Sequence, residues 1–164
     1  MRVGVLGKMC AGKTTLANAL VKQGYTRMAF ADKVKEIARE LFGMTSKDRP
    51  LLQAIGQGMR NIRATVWIDY LLSKVEGDNI VIDDVRYENE VLALKEAGFI
   101  IIYLDVDRQT QKERIRKLYK DPETHLRGLT HASEQADTLR HLANLDIRLQ
   151  SYEDIEKCIQ RIKI

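Results

Sequence analysis

Residues 1–15 constrain the fold more than any other part of this chain. A short apolar run is followed directly by the pattern Gly7-x4-Gly12-Lys13-Thr14, after which apolar residues recur at helical spacing. A strand, a glycine-rich loop and a helix in this order form a turn whose backbone N–H groups can surround a phosphate. The start of the helix adds its unpaired N–H groups and the positive end of its dipole. The sequence therefore predicts a binding site for a nucleoside triphosphate.

Two side chains at the end of this loop have predicted roles. We expect Lys13 to reach the β- and γ-phosphates and the Thr14 hydroxyl to help hold Mg²⁺. The alternative is a tight strand-to-helix turn without a ligand, which the complete pattern in this context disfavours. The residues predicted to bind the ATP phosphates are Gly7, Lys8, Met9, Cys10, Ala11, Gly12, Lys13, Thr14 and Thr15.

Length and charge limit the remaining possibilities. A chain of 164 residues with 45% hydrophobic composition predicts one domain, residues 1–164. The net charge of +4 suits a site for several phosphates, but it is mild and scattered, so we expect no nucleic-acid partner. We expect no signal peptide, and the sequence has no long apolar segment; both predict a cytoplasmic protein without membrane association. With Cys10 inside the loop and Cys158 near the C-terminus, we expect no structural disulfide.

Strands and helices alternate along the sequence, which predicts an α/β fold with a doubly wound, mostly parallel sheet. After the first strand, further strands are expected at Tyr25–Phe30, Asn79–Asp84, Phe99–Leu104 and Leu145–Leu149. The clearest helices are expected at Lys13–Gln23, Lys33–Phe42, Tyr87–Ala97, Asp107–Lys120 and Tyr152–Ile162.

Polar residues follow two of the predicted strands. Asp32 and Lys33 come after the second strand, where open α/β sheets bind ligands, although Asp32 could equally cap the next helix. Asp83 and Asp84 end the third strand, as in a Walker B motif that supports a metal site. We assign Asp83 with Thr14 to Mg²⁺. A structural ion pair between Asp84 and a nearby arginine is the alternative to contacts with substrate.

The middle of the chain has features of a clamp that closes on a substrate. Gly56 and Gly58 provide flexibility, and Arg60 and Trp67 follow. Judged from these residues alone, core packing is the favoured interpretation for the tryptophan and a solvated surface charge for the arginine.

A basic helix near the C-terminal third suggests a lid. The helix predicted at Asp107–Lys120 leads into an irregular stretch containing Asp121-Pro122 and Arg127-Gly128, so the lid would span about 108–134. Arg114, Arg116 and Arg127 are its candidate phosphate-binding residues. The alternative is a charged surface helix.

Together these motifs resemble the P-loop nucleoside monophosphate kinases, and within them the bacteriophage-type deoxynucleoside monophosphate kinases. The resemblance extends over almost the whole chain. The residues on which it rests are Gly7–Thr15, Phe30–Lys33, Leu52-Gln53-x-x-Gly56, Arg60 with Trp67, Asp84-x-Arg86 with Glu90, and His131-x-Ser133-Glu134. Two departures are Gln57, where the family often has threonine, and a last strand without the family's Asn-Asp-Gly turn.

The resemblance implies a three-layer P-loop NTPase fold with a five-stranded parallel sheet of order 2-3-1-4-5 and a helical lid. It also implies an ATP–Mg²⁺ donor, a nucleoside monophosphate acceptor bound by a helical part at about 32–76, and a monomer or homodimer. The implied catalytic residues are Lys13, Asp84, Arg86, Arg114 and Arg127. The implied acceptor-binding residues are Asp32, Lys33, Gln53, Arg60, Trp67, Asp84, Arg86 and Glu90.

The leading functional hypothesis is therefore ATP-dependent phosphorylation of a (deoxy)nucleoside monophosphate to the diphosphate. A kinase of phosphomevalonate or dephospho-coenzyme A could use the same scaffold. A nucleotide-dependent switch is a third hypothesis, disfavoured because the sequence lacks an Asn-Lys-x-Asp guanine motif and a glutamate after the Walker B aspartates.

Overall fold

A computed structural model of the chain describes residues 1–127, 129, 136–150 and 152–162. Its strands form one parallel sheet with the order β2-β3-β1-β4-β5, which confirms the predicted topology. The strands are β1 (Arg2–Gly7), β2 (Thr26–Met28), β3 (Ile80–Val85), β4 (Phe99–Asp105) and β5 (Leu145–Arg148).

Helices cover both faces of this sheet, as expected for parallel strands joined by crossover connections. The α-helices are α1 (Lys13–Val21), α2 (Phe30–Phe42), α3 (Arg49–Ile62), α4 (Val66–Leu72), α5 (Glu88–Glu96), α6 (Arg108–Leu118), α7 (Pro122–Arg127) and α8 (Tyr152–Ile162). A 3₁₀ helix (Ala136–Leu142) precedes β5. The region expected to bind the acceptor, about 32–76, thus contains most of α2 and all of α3 and α4.

Two hydrophobic cores lie on opposite faces of the sheet. One contains α1 and α8, and the other contains α2, α4 and α5. Since neighbouring residues of a strand point to opposite faces, β3 contributes Val81 to the first core and Ile82 to the second. The same alternation places Asp83 on the α1 face and Asp84 on the α2 face.

The second strand is the main difference from the sequence prediction. It ends at Met28 rather than Phe30, and α2 begins at Phe30 rather than Lys33. Asp32 therefore lies within the first turn of α2 and does not cap it. The carboxylate that accepts the first N–H groups of this helix comes from β3 instead.

No helix in the part of the chain that the structure describes is long and apolar enough to cross a membrane. Cys10 and Cys158 are both free thiols, and burial raises the pKa of Cys158 to about 11.

Candidate nucleotide-binding site

The phosphate loop joins β1 to α1 and needs glycine at both ends. Gly7 has φ +153°, and a Cβ there would lie 2.6 Å from the carbonyl oxygen of Leu104. Gly12 has φ +102° and occupies the N-cap position of α1. Any L side chain would strain these two positions, so the glycines of the sequence pattern are explained by local geometry.

The side chain of Lys13 lies over the loop. Its Nζ donates to the carbonyl oxygens of Gly7, at 2.5 Å, and Lys8, at 2.7 Å. Thr14 follows in the first turn of α1 with an exposed side chain. The Lys13 amine and the Thr14 hydroxyl therefore both lie where the N-terminus of α1 meets the loop.

Helix α6 contacts the loop from outside through two side chains. Gln111 is 4% exposed, and its Nε2 donates to the carbonyl oxygen of Met9 at 3.0 Å. Arg114 donates to the carbonyl oxygens of Cys10, at 2.9 Å, and Leu149, at 2.7 Å. Arg114, which we assigned to the lid, thus contacts the backbone of the phosphate loop and the segment after β5.

A carboxylate on the 3₁₀ helix contacts Lys8 of the loop and Tyr103 of β4. Lys8 Nζ lies 2.5 Å from Asp137 Oδ2, and the Tyr103 hydroxyl donates to Asp137 Oδ1. Burial alone would raise the pKa of Asp137, but its hydrogen bonds with Lys8 and Tyr103 outweigh that effect and lower it. The same burial, together with Asp137, raises the pKa of Tyr103. Asp137 is therefore held ionised against the loop.

Asp83 lies on the same face of the sheet as α1. Its side chain is 2% exposed, and Oδ1 lies 2.7 Å from Arg27 Nη2. Oxygen ligands of this kind and the Thr14 hydroxyl are of the chemical type that Mg²⁺ prefers. Because Asp83 already pairs with Arg27, the Thr14 hydroxyl is the side chain that fits Mg²⁺ more directly. Among the described residues, no group of three or more His, Cys, Asp or Glu could hold a metal ion.

Asp84 connects β3 to the start of α2. Its Oδ1 accepts from the Phe30 N–H and its Oδ2 from the Ala31 N–H, both at 2.9 Å. Burial raises the pKa of Asp84, although both backbone hydrogen bonds favour the ionised form. This carboxylate therefore fixes the start of α2 to the carboxyl end of β3.

Three residues of the predicted acceptor set, Arg60, Trp67 and Glu90, form one connected unit. Trp67 is 3% exposed and its Nε1 donates to the Gly56 carbonyl oxygen at 3.1 Å. Arg60 Nη2 lies 3.2 Å from Glu90 Oε1, and the guanidinium sits 4.5 Å from the centre of the Tyr87 ring. The indole thus packs in the core, as the residue alone suggested, and the arginine has a buried partner.

Glu90 holds the turn that follows β3. Its Oε2 accepts from the N–H groups of Arg86, at 2.8 Å, and Tyr87, at 3.1 Å. Burial has the largest effect and raises the pKa of Glu90 above its usual value, although these two hydrogen bonds and the charge of Arg60 act in the opposite direction. Through Glu90, the Arg60 unit fixes the backbone from which the exposed Arg86 side chain projects.

The other predicted acceptor residues lie on helix surfaces. Lys33 pairs with Glu36 at 2.7 Å and lies 5.4 Å from the centre of the Tyr70 ring. Asp32 pairs with Lys35 at 3.1 Å. Gln53 is exposed on α3.

A group of cations near Arg86 was not predicted. Lys35, Arg39 and Lys47 line a cleft of about 310 Å³, together with Thr45 and Ser46. Burial and the charges of Arg49, Lys35 and Arg86 lower the pKa of Lys47. Among the described residues, no carboxylate lies within ion-pairing distance of Lys47 or Arg49.

His125 from α7 supports this group. Arg49 Nη2 lies 3.2 Å from His125 Nδ1, and the imidazole stacks on Tyr119 with 3.7 Å between ring centres. Burial and the charge of Arg49 lower the pKa of His125, so the neutral ring can accept a hydrogen bond from the guanidinium. We name Lys35, Lys47, Arg49 and Arg86 the cationic cluster.

The missed residues left weak signals in the sequence. Lys47 and Arg49 stand in a polar loop and at a helix start, where basic residues are ordinary. Gln111 could have been found from its spacing, because it lies one turn before the buried Ile115 on a highly charged helix. Of the predicted lid, α6 and α7 are described and Arg127 ends α7, whereas Gly128, His131, Ser133 and Glu134 lie outside the described residues.

The fold and the phosphate loop define a P-loop nucleotide-binding protein with the topology of the P-loop kinases. The chain belongs to the family described as AAA domain, whose model matches residues 3–139.

Two curated proteins and a solved structure are similar to the chain. A putative deoxynucleotide monophosphate kinase of Acanthamoeba polyphaga mimivirus is 26% identical over 140 residues, which cover 63% of this chain and 72% of that protein. The UPF0200 protein PAE1629 of Pyrobaculum aerophilum is 30% identical over 115 residues, covering 69% of this chain and 63% of that protein. Shikimate kinase from Acinetobacter baumannii, solved with shikimate, has a TM-score of 0.64 at 20% identity, covering 99% and 92% of the two chains.

Proposed function

We propose that this protein transfers the γ-phosphoryl group of ATP to a (deoxy)nucleoside monophosphate. The observation that supports this most is the cationic cluster. It includes Arg86, which follows β3 at the carboxyl edge of the sheet, and the phosphate loop follows β1 at the same edge. Two groups of anion-binding features at one edge suit a reaction between two phosphorylated substrates. The resemblance to deoxynucleotide monophosphate kinases points in the same direction.

The donor would be bound by the loop from Gly7 to Thr15. Its N–H groups and Lys13 would surround the phosphates, and the Thr14 hydroxyl would contribute to Mg²⁺ binding. The metal ion supplies charge neutralisation at the transferring phosphoryl group. A role for Asp83 at the metal stays a prediction, since its carboxylate contacts Arg27 in this structure.

The acceptor phosphate would be bound by the cationic cluster. Lys47 and Arg49 are candidates because no described carboxylate neutralises them, and Arg86 is near enough to Lys47 for its charge to lower the pKa of that lysine. A phosphate monoester carries nearly two negative charges at neutral pH. It can therefore pair with several cations at once, whereas a carboxylate carries only one charge. An indirect role would fall to Arg60, Trp67 and Glu90, which fix the backbone at Arg86 and would not contact the acceptor themselves.

The direct experiment is a coupled assay of ADP release with ATP and Mg²⁺. The acceptors tested would be the common ribo- and deoxyribonucleoside monophosphates. Shikimate, dephospho-coenzyme A and phosphomevalonate would be tested separately as alternative acceptors. Turnover with one or more monophosphates, and much less with the other compounds, is the expected result. Turnover with shikimate alone would contradict the proposal while leaving the P-loop kinase class intact.

Substitution of the cluster tests the acceptor site itself. Arg49→Ala should raise the KM for the acceptor roughly tenfold or more, since a charge-assisted hydrogen bond contributes about 1.5–3 kcal/mol. The KM for ATP should change little. Arg63→Ala is a matched control, because the Arg63 side chain is 67% exposed and pairs with Asp69 on the surface. Equal changes in both KM values would instead assign Arg49 to the donor site or to folding.

A further inference from the structure

Helix α6 contacts the phosphate loop at two successive carbonyl groups. Gln111 donates to the carbonyl oxygen of Met9 at 3.0 Å, and Arg114 donates to that of Cys10 at 2.9 Å. Both donors belong to side chains at i and i+3 of one helix, and Gln111 is 4% exposed. Buried polar side chains that point at neighbouring peptide oxygens fix the orientation of those peptides.

The orientation of these carbonyls decides where the loop N–H groups point. In a planar trans peptide, C=O and N–H point in opposite directions. When α6 holds the Met9 carbonyl outward, the N–H of Cys10 is directed to the other side, which is the interior of the loop. Arg114 holds the Cys10 carbonyl in the same way, and the N–H on the other side of that peptide, from Ala11, donates to the Lys8 carbonyl oxygen at 3.3 Å and closes the loop.

Cys10 makes this external support necessary. Its φ is +61°, a left-handed conformation that residues with side chains rarely adopt. Such a conformation persists where surrounding contacts over-determine it. Arg114 also donates to the Leu149 carbonyl oxygen at 2.7 Å, so the Cys10 peptide is tied to α6 and to the segment after β5.

We propose that Gln111 and Arg114 are positioning residues of the phosphate loop. Gln111 holds one peptide so that the N–H of Cys10 faces a bound phosphate chain, and Arg114 holds the next peptide so that the N–H of Ala11 closes the loop onto Lys8. This inference rests on the proposed nucleotide binding and is independent of which acceptor is used. Both Gln111 and Arg114 would then act on a bound nucleotide through the loop backbone.

Gln111 provides the cleaner test because its side chain carries no charge. Gln111→Met keeps a similar volume but removes the donor, and Gln111→Glu keeps the shape but presents an acceptor to the Met9 carbonyl. The control is Gln109→Met on the same helix, where the exposed amide contacts Glu113 instead of the loop. Binding of inorganic tripolyphosphate and of MgATP would be measured by titration calorimetry, with thermal unfolding of each variant alongside.

The expected result is roughly tenfold weaker binding of both probes to Gln111→Met, weaker binding still to Gln111→Glu, and parent-like binding to Gln109→Met. The loss should be similar for the two probes, because both present a triphosphate chain to the loop. Parent-like binding by both Gln111 variants would overturn the inference. If the parent protein itself bound neither probe, the proposed nucleotide binding would fail and the inference with it.

Discussion

Replacement of Arg60 by alanine should destabilise the protein far more than an ordinary surface substitution. The Arg60 side chain is 24% exposed and faces Glu90, whose side chain is 3% exposed, at 3.2 Å. Removing one partner of a buried ion pair costs about 3–5 kcal/mol. Here the cost should be lower, about 2–3 kcal/mol, because Arg60 is partly solvated and Glu90 keeps two backbone hydrogen bonds. For a chain of this length, that corresponds to a Tm lower by about 5–10 °C.

The effect should depend on pH through Glu90. Burial raises the pKa of Glu90 above its usual value of 4.5, so the folded state holds this proton more tightly than the unfolded state. A raised carboxyl pKa makes stability fall as pH rises from that usual value through the folded-state pKa. Loss of Arg60 raises the pKa of Glu90 further. The stability difference between parent and variant should therefore be largest at neutral pH and should shrink as pH falls towards 4.5.

Urea denaturation at pH 7.5 and at pH 5 would measure this difference directly. Arg63→Ala is the control, since its side chain is 67% exposed and its loss should cost little at either pH. The double variant Arg60→Ala/Glu90→Gln should lose less stability than the sum of the losses in the two single variants. The reason is that glutamine at position 90 leaves no buried charge without a partner. An Arg60→Ala variant with parent stability and only a raised KM for the acceptor would refute this reasoning and restore Arg60 as a direct ligand.

Three further changes test the nucleotide site and its frame. Lys13→Ala should keep the fold by circular dichroism yet lose most activity, and near-normal turnover would contradict its assignment to the phosphates. Thr14→Ala should shift the Mg²⁺ dependence of activity to higher concentration, whereas an unchanged Mg²⁺ titration would count against a metal ligand there. Asp84→Ala should lower stability by about 1–2 kcal/mol in urea denaturation, because two N–H groups of α2 lose their acceptors. Parent-like stability of that variant would show that these two hydrogen bonds do not stabilise the start of α2.

Local patterns made the centre of the fold predictable from sequence. Gly7, Gly12 and Lys13 lie within seven residues, and the strand, the turn and the helix that they define are formed by neighbouring parts of the chain. The apolar runs of the central strands are similarly local, since both faces of these strands are covered. The sheet order was expected from family resemblance and is confirmed by the structure.

Roles that depend on distant partners could not be predicted in this way. Asp83 and Asp84 are adjacent in sequence, but strand alternation places one against Arg27 and the other against the start of α2. Arg60 meets Glu90 across 30 residues, and Gln111 meets Met9 across 102.

The sequence by itself determined which residue types are present and the local geometry of the loop. Only the tertiary structure decided which charges find a partner. Lys47 and Arg49 are left without a described carboxylate partner, whereas Arg60 is paired with a buried one. The reason is physical: pairing and desolvation depend on distances of a few ångströms between segments, and these distances are fixed by packing of helices on the sheet.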